Sequence, residues 1–151
     1  MAVTLIKIRY LFIVSFICCI CLVFSGCFYG NASVRDAEKQ LVNDEAIFED
    51  VSGTYQIAFH AVLYNGDTSA RGGTWYMKNE KTKIFTFVFG PEAGTLLILS
   101  NDTHIASMDW SYTDEGHFVV SGISALSGGD LDQSLRPFAD QTYVFLQYGG
   151  N

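Results

Sequence analysis

Beyond residue 27 the chain has no cysteine, because all four of its cysteines, Cys18, Cys19, Cys21 and Cys27, lie near the amino terminus. The bulk of the chain therefore cannot be built on a disulfide framework and must rely on its core. The Cys18-to-Cys21 spacing lies within an apolar run without nearby histidines, which excludes a zinc or redox motif there. Proline is also scarce, with only Pro91 and Pro137, while aromatic residues and glycine are frequent. That composition favours a β-rich domain with tight turns.

Basic residues are few, with nine Lys and Arg against sixteen Asp and Glu. Two of the nine, Lys7 and Arg9, precede the apolar run, so residues 27–151 carry seven basic and sixteen acidic side chains, a formal charge of −9. Such a balance argues against nucleic-acid binding and against general electrostatic adhesion to anionic lipid.

Residues for catalysis or metal binding do not form a recognisable set. His60, His104 and His117 are far apart in the sequence, and no short-spaced pair of ligands accompanies them. A nucleophile elbow, a phosphate-binding glycine loop after a strand and a cysteine nucleophile are all missing. We therefore expect no enzyme, cofactor or metal site, although an acidic loop that binds Ca²⁺ without EF-hand spacing stays open.

What the chain does have is one long uncharged apolar run, Leu11 to Cys27, directly after Lys7 and Arg9. A basic start, an apolar middle and a small-residue end are typical of an export signal. The run closes with the sequence VFSGC, Val23 to Cys27, which resembles a bacterial lipobox. That resemblance implies a signal peptide of residues 1–26 and a lipidated Cys27 that anchors the chain in a membrane through acyl chains.

Two other interpretations of this segment remain open. Tyr10 to Cys27 is close to the minimum length for an uncleaved transmembrane anchor. An ordinary signal peptide cleaved after Ser25 would leave Cys27 unmodified. If the lipobox holds, Phe28 in place of Asp after the lipidated cysteine implies sorting to the outer membrane, facing the periplasm.

The rest of the chain predicts one leading helix and a series of antiparallel strands. Ser33 is a candidate N-cap for a helix that reaches about Glu49, within a tether-and-helix segment 27–50. From Val51 the apolar period changes to two. The predicted strands cover about Tyr55–Leu63, Thr68–Lys78, Lys83–Phe89, Thr95–Ser100, His104–Tyr112, His117–Val120 and Thr142–Tyr148.

Turn signals between these strands predict consecutive hairpins, with a short late helix from Asp130 to about Pro137. We therefore predict a mainly β (α+β) domain over residues 51–151. A curved antiparallel sheet or unclosed barrel fits best, and a sandwich is the alternative.

The order of these elements resembles the family of LolB-type outer-membrane lipoprotein receptors and their LolA-like periplasmic carriers. The resemblance covers about residues 33–112 and is carried by Gly53-Thr54-Tyr55, by Gly73-Thr74-Trp75-Tyr76 and by the Gly90-Pro91-Glu92-Ala93-Gly94 turn before an apolar strand. It implies an unclosed barrel that accepts the acyl chains of lipoproteins from a periplasmic carrier and delivers them to the outer membrane. It also implies that the turn of Pro91, Glu92 and Ala93 faces the membrane.

An aromatic concave wall suits such a carrier, since each buried methylene is worth about 0.8 kcal/mol. The candidate cavity residues are Phe59, Trp75, Met77, Phe85, Phe87, Leu97, Leu99, Met108 and Trp110. The alternative is a lipid-anchored interaction or accessory protein of an envelope or secretion complex, in which these residues form a filled core and an outer patch binds the partner.

The lipobox interpretation predicts a mature chain that begins at an acylated Cys27. Mass spectrometry of the mature amino terminus is expected to show the mass of the attached acyl chains, and Cys27→Ser is expected to lose both that mass and membrane retention. An unmodified amino terminus at Gly26, or an intact Met1, would contradict the lipidated anchor and support one of the two other interpretations.

Overall fold

The computed structural model of the chain describes residues 34–43 and 45–148. The predicted signal peptide, Cys27 and the other cysteines lie outside the described residues. Among those residues, no helix has the length and apolar character needed to cross a membrane.

The described chain forms one helix followed by a β-barrel. Helix α1 covers residues 34–43. The strands are β1 (Ile47–Asp50), β2 (Tyr55–Tyr64), β3 (Asp67–Met77), β4 (Thr82–Phe89), β5 (Thr95–Ser100), β6 (Thr103–Tyr112), β7 (His117–Ala125) and β8 (Thr142–Gln147).

Each strand pairs antiparallel with its neighbour in the sequence, and β1 also pairs with β8, so the barrel is closed. The prediction of a mainly β, antiparallel barrel with a leading helix is confirmed. The expected opening is absent from the described sheet because β1 fills the position between β2 and β8.

Strand β1 is the element that the sequence pattern does not reveal. The helix predicted to reach Glu49 ends at residue 43, and Glu45 adopts a positive φ of 46° before the chain becomes extended. Phe48 and Asp50 then alternate inward with the outward-facing Ile47 and Glu49. A strand of four residues is too short for a period of two to stand out, so the helical pattern extended across it.

Helix α1 packs over one end of the barrel. Its Ala37 and Leu41 are buried in the same apolar cluster as Phe48, and the amide of Ala46 donates to the Leu41 carbonyl at 3.4 Å. The same end carries the β2–β3, β4–β5 and β6–β7 turns, as the registers of these strands require. We call it the helix end, and the opposite end the loop end.

The loop end is closed by the segment between β7 and β8. The helix predicted from Asp130 to about Pro137 is absent apart from a single 3₁₀ turn at its end, Arg136–Phe138, and a second 3₁₀ turn, Leu126–Gly128, lies before it. Phe138 is buried against Trp75, Phe85 and Tyr143, with ring centroids 5.5–5.8 Å apart. The segment therefore acts as an apolar plug.

The adjacent glycines of β3 lie where strands and side chains leave no room for a Cβ. At Gly72 a Cβ would lie 2.9 Å from the Cα of Val88 and closer still to the carbonyl oxygen of Phe87. At Gly73 it would lie 2.7 Å from the Phe87 ring. The register of β3 with β4 shifts nearby, between Trp75 and Tyr76.

Substituting Gly72 by alanine is expected to destabilise the barrel by about 1–3 kcal/mol, because backbone atoms of β4 must shift to admit the methyl group. Urea unfolding followed by circular dichroism measures the change. Gly129→Ala is the matched control, since its extended φ of −74° suits alanine and the nearest atom lies 3.6 Å away. Equal stability of Gly72→Ala and the wild type would contradict the tight approach of β3 to β4.

Candidate functional site

Most of the predicted cavity residues do share the inside of the barrel. Phe59, Trp75, Phe85, Phe87, Met108 and Trp110 belong to one buried cluster. Their rings contact each other directly: the centroids of Phe59 and Phe87 are 5.9 Å apart and those of Trp75 and Phe85 are 5.2 Å apart. Such edge-to-face and tilted packing is favourable for aromatic pairs.

Three of the predicted cavity residues lie elsewhere. Leu97 and Leu99 point to the outer face of the barrel, because they alternate along β5 with the inward-facing Leu96 and Ile98. Met77 is half-buried at the last position of β3 and lies outside the main cluster. In an apolar strand such as β5 both parities are equally hydrophobic, so the pattern alone selects neither face.

The inside of the barrel is packed with side chains. Residues at its centre, such as Trp75, Phe87 and Phe118, have 0% of their surface accessible to water. Side chains that no water-sized sphere can touch leave no water-sized space between them. The small cavity beneath helix α1 measures about 20 Å³, room for one water, whereas ligand pockets are usually about 300–1,000 Å³.

The loop end of the core contains a few polar groups. The buried carboxylate of Asp50 accepts hydrogen bonds from the Tyr55 amide at 2.6 Å and from the Ser52 amide at 3.3 Å, and the Ser52 hydroxyl also donates to it. Nearby, burial raises the pKa of the Tyr143 phenol, and the adjacent Tyr55 and Asp50 add to the effect. The hydrogen bonds of Asp50 stabilise the β1–β2 turn, and the raised pKa favours the neutral form of the Tyr143 phenol.

The three histidines have separate surroundings. His60 Nδ1 donates to the Ala61 carbonyl at 2.9 Å, so its Nε2, 2.8 Å from the Thr74 hydroxyl, is the acceptor in the neutral ring. His104 Nε2 lies 3.0 Å from Ser107 Oγ, and His117 begins β7 at the helix end. In residues 34–43 and 45–148, no three His, Cys, Asp or Glu side chains are grouped as metal ligands.

The predicted membrane-facing turn lies at the helix end of the barrel. Pro91 and Glu92 are exposed and Ala93 is half-buried. The turn is held by hydrogen bonds from the Gly90 amide to the Thr95 carbonyl (2.7 Å) and from the Thr95 amide to the Glu92 carbonyl (3.3 Å). Its neighbour across a cleft is helix α1.

Exposed apolar side chains concentrate on the two strands that close the barrel. Ile47 of β1 and Leu146 of β8 are 40% and 41% exposed, and Tyr148, whose amide donates to the Ile47 carbonyl at 2.8 Å, is 60% exposed. Val51, at the end of β1, is 69% exposed. We call these four residues the β8–β1 face.

Sequence reasoning missed this face for a physical reason. The predicted helix includes Ile47. Leu146 and Tyr148 lie beside Ile47 only because β8 pairs with β1, a pairing between distant parts of the sequence. The one available signal was the alternation of Phe48 and Asp50 with Ile47 and Glu49, which four residues make too brief to separate from a helix.

No family model, curated protein or solved structure significantly matches the chain. The likeness to LolB-type receptors thus remains a prediction from its residues. The fold itself defines the class: an eight-stranded, closed, antiparallel barrel in which neighbours in sequence are neighbours in the sheet.

Tyr143 gives the folded state a dependence on alkaline pH. Its folded pKa is raised, so the unfolded chain releases this proton first, and stability is expected to fall as the pH rises through the ordinary tyrosine pKa of about 10. Tyr143→Phe is expected to flatten this decline in urea unfolding measured from pH 8 to pH 11. Tyr148→Phe, an exposed ring, serves as the control and is expected to keep the wild-type slope, and an unchanged slope in Tyr143→Phe would refute the assignment.

Proposed function

We propose that this chain is a lipid-anchored, non-enzymatic interaction protein of the cell envelope, which binds a protein partner through the β8–β1 face. The observation that carries the proposal is the location of its exposed large apolar side chains. Four of the six found among the described residues, Ile47, Val51, Leu146 and Tyr148, lie on this face. Clustering of exposed large apolar side chains on one face is typical of an interaction site.

The lysines beside the face favour an acidic partner. Lys78, Lys81 and Lys83 follow one another at the β3–β4 hairpin, and Lys78 Nζ lies 5.7 Å from the centre of the Tyr148 ring while also pairing with Glu49. A groove of about 390 Å³ continues from Ile47 and Tyr148 across the outer face of β2 and β3 to Lys81 and Lys83. A partner with an apolar centre and acidic groups at its rim complements this surface.

The anchor belongs to the proposal on the basis of the sequence. An acylated Cys27, with Phe28 after it, would hold the domain at the periplasmic side of the outer membrane. The acyl-chain carrier of the LolB type is the competing function. It would require the aromatic core to separate, because the buried Phe59, Phe87 and Trp110 occupy the volume that an acyl chain would need.

A photo-crosslinking amino acid at Leu146 tests the interaction in cells that produce the full chain. We expect one discrete crosslinked protein from position 146 and none from position 63, because Leu63 is similarly exposed (46%) but lies away from the face. Adding Ile47→Glu is expected to reduce the crosslink at 146 at least several-fold, since a carboxylate disrupts the apolar centre.

In a second experiment, the full chain is purified and mixed with a fluorescent fatty-acyl probe. The proposal expects no saturable uptake, because the core is filled. Stoichiometric uptake, together with no crosslink at position 146, would overturn the interaction proposal in favour of the carrier. Circular dichroism on each variant excludes unfolding as the cause of a lost signal.

A further inference from the structure

A cleft of about 240 Å³ separates helix α1 from the β4–β5 turn at the helix end of the barrel. The helix contributes Arg35, Glu38 and Lys39, and β3 contributes Arg71. The turn contributes Gly90, Pro91 and Ala93; Glu92, at its tip, is not among the lining residues. The cleft therefore combines side chains that are far apart in the sequence.

The cleft is positive although the domain as a whole is strongly acidic. Residues 27–151 contain seven basic side chains, and three of them, Arg35, Lys39 and Arg71, line this one cleft. Its single acidic member, Glu38, pairs with Arg71 Nη1 at 3.5 Å, so the lining with three basic and one acidic side chain has a formal charge of 3 − 1 = +2. A concave surface that gathers one sign of charge concentrates the potential that attracts a counter-ion.

The short stretch of sequence between the candidate anchor and helix α1 favours a lipid headgroup as the ligand of the cleft. Helix α1 begins at residue 34, seven residues after Cys27. Seven extended residues span at most about 25 Å, so a lipidated Cys27 would keep the first turn of the helix within reach of the lipid headgroups. Tethering also raises the local concentration of headgroups far above that of a free anion.

We propose that this cleft binds the phosphate groups of anionic lipids in the membrane to which the chain is anchored. Arginine presents a planar fork that matches phosphate oxygens, and lysine adds a point charge. The turn side of the cleft is lined by the small residues Gly90 and Ala93 together with Pro91. The contact would orient the barrel with its helix end toward the membrane and its β3–β4 hairpin away from it.

This inference rests on the anchor in the proposed function. It also refines the conclusion drawn from net charge: the −9 domain is repelled by an anionic surface as a whole, but the three basic side chains that line one cleft act on phosphates within a Debye length of about 8–10 Å. Each basic residue at such a surface is worth about fivefold in affinity.

The test uses the full chain purified from producing cells and reconstituted into vesicles, either of neutral phosphatidylcholine or with about a third of phosphatidylglycerol. Hydrogen–deuterium exchange is followed at the start of helix α1 and in residues 90–95. We expect exchange there to slow at least fivefold in the anionic vesicles relative to the neutral ones. The variant Arg35→Gln, Lys39→Gln, Arg71→Gln is expected to lose this difference.

The variant Lys78→Gln, Lys81→Gln, Lys83→Gln is the matched control, since it removes the same charge from the opposite end of the barrel and is expected to keep the protection. A fourth arm adds soluble inorganic phosphate to the neutral vesicles. Equal protection by soluble phosphate would overturn the lipid as the ligand, and equal loss in both triple variants would reduce the effect to net charge.

Flotation of the vesicles separates the failure of this inference from the failure of the anchor. A chain that floats with both vesicles but shows no lipid-dependent protection overturns the cleft alone. A chain that floats with neither overturns the anchor, and the cleft proposal fails with it.

Discussion

The structure depends on the pairing of β1 with both of its neighbours. This strand has four residues, yet it pairs with β2 on one side and β8 on the other and removes the two edges that an open sheet would expose. Hydrogen bonds extend the closure past the strand, from the Val51 amide to the Val144 carbonyl (3.0 Å) and from the Tyr148 amide to the Ile47 carbonyl (2.8 Å). Phe48 of the same strand is fully buried against Phe59 and Phe118. The element that closes the barrel therefore also fills it.

Closure and filling leave little free space inside the described barrel. A barrel whose aromatic side chains already contact one another offers its interior to no ligand without losing the packing that stabilises it. On the outside, six of the seven basic side chains of residues 27–151 form two groups: Arg35, Lys39 and Arg71 line the cleft at the helix end, and Lys78, Lys81 and Lys83 lie at the β3–β4 hairpin. In the proposed arrangement the first cluster meets the membrane and the second borders the partner.

The alternation in β2 shows how far sequence reasoning reaches. Every second residue of β2 points to the same side of the strand: Tyr55, Ile57, Phe59, Ala61 and Leu63. Of these, Ile57 and Phe59 are buried. Ala61 and Leu63 are exposed, because β2 extends beyond the short β1, whose pairing with it stops at Ala58. In β5, where four apolar residues follow one another, the choice of Leu97 and Leu99 for the inside was wrong in parity. Periodicity identifies a strand but assigns its faces only where polar residues mark one of them.

The sequence by itself determined the strand positions from β2 to β8, the turns between them and the candidate anchor, because period, turn chemistry and the signal pattern are local properties. Tertiary structure decided what depends on distant residues meeting. It made Ile47–Asp50 a strand when β2 and β8 offered hydrogen-bonding partners on both sides. It also gathered Arg35, Lys39 and Arg71 around one cleft, since neither their spacing nor their composition reveals that helix α1 packs beside the β4–β5 turn. Contacts across the chain are settled by packing, which no local pattern encodes.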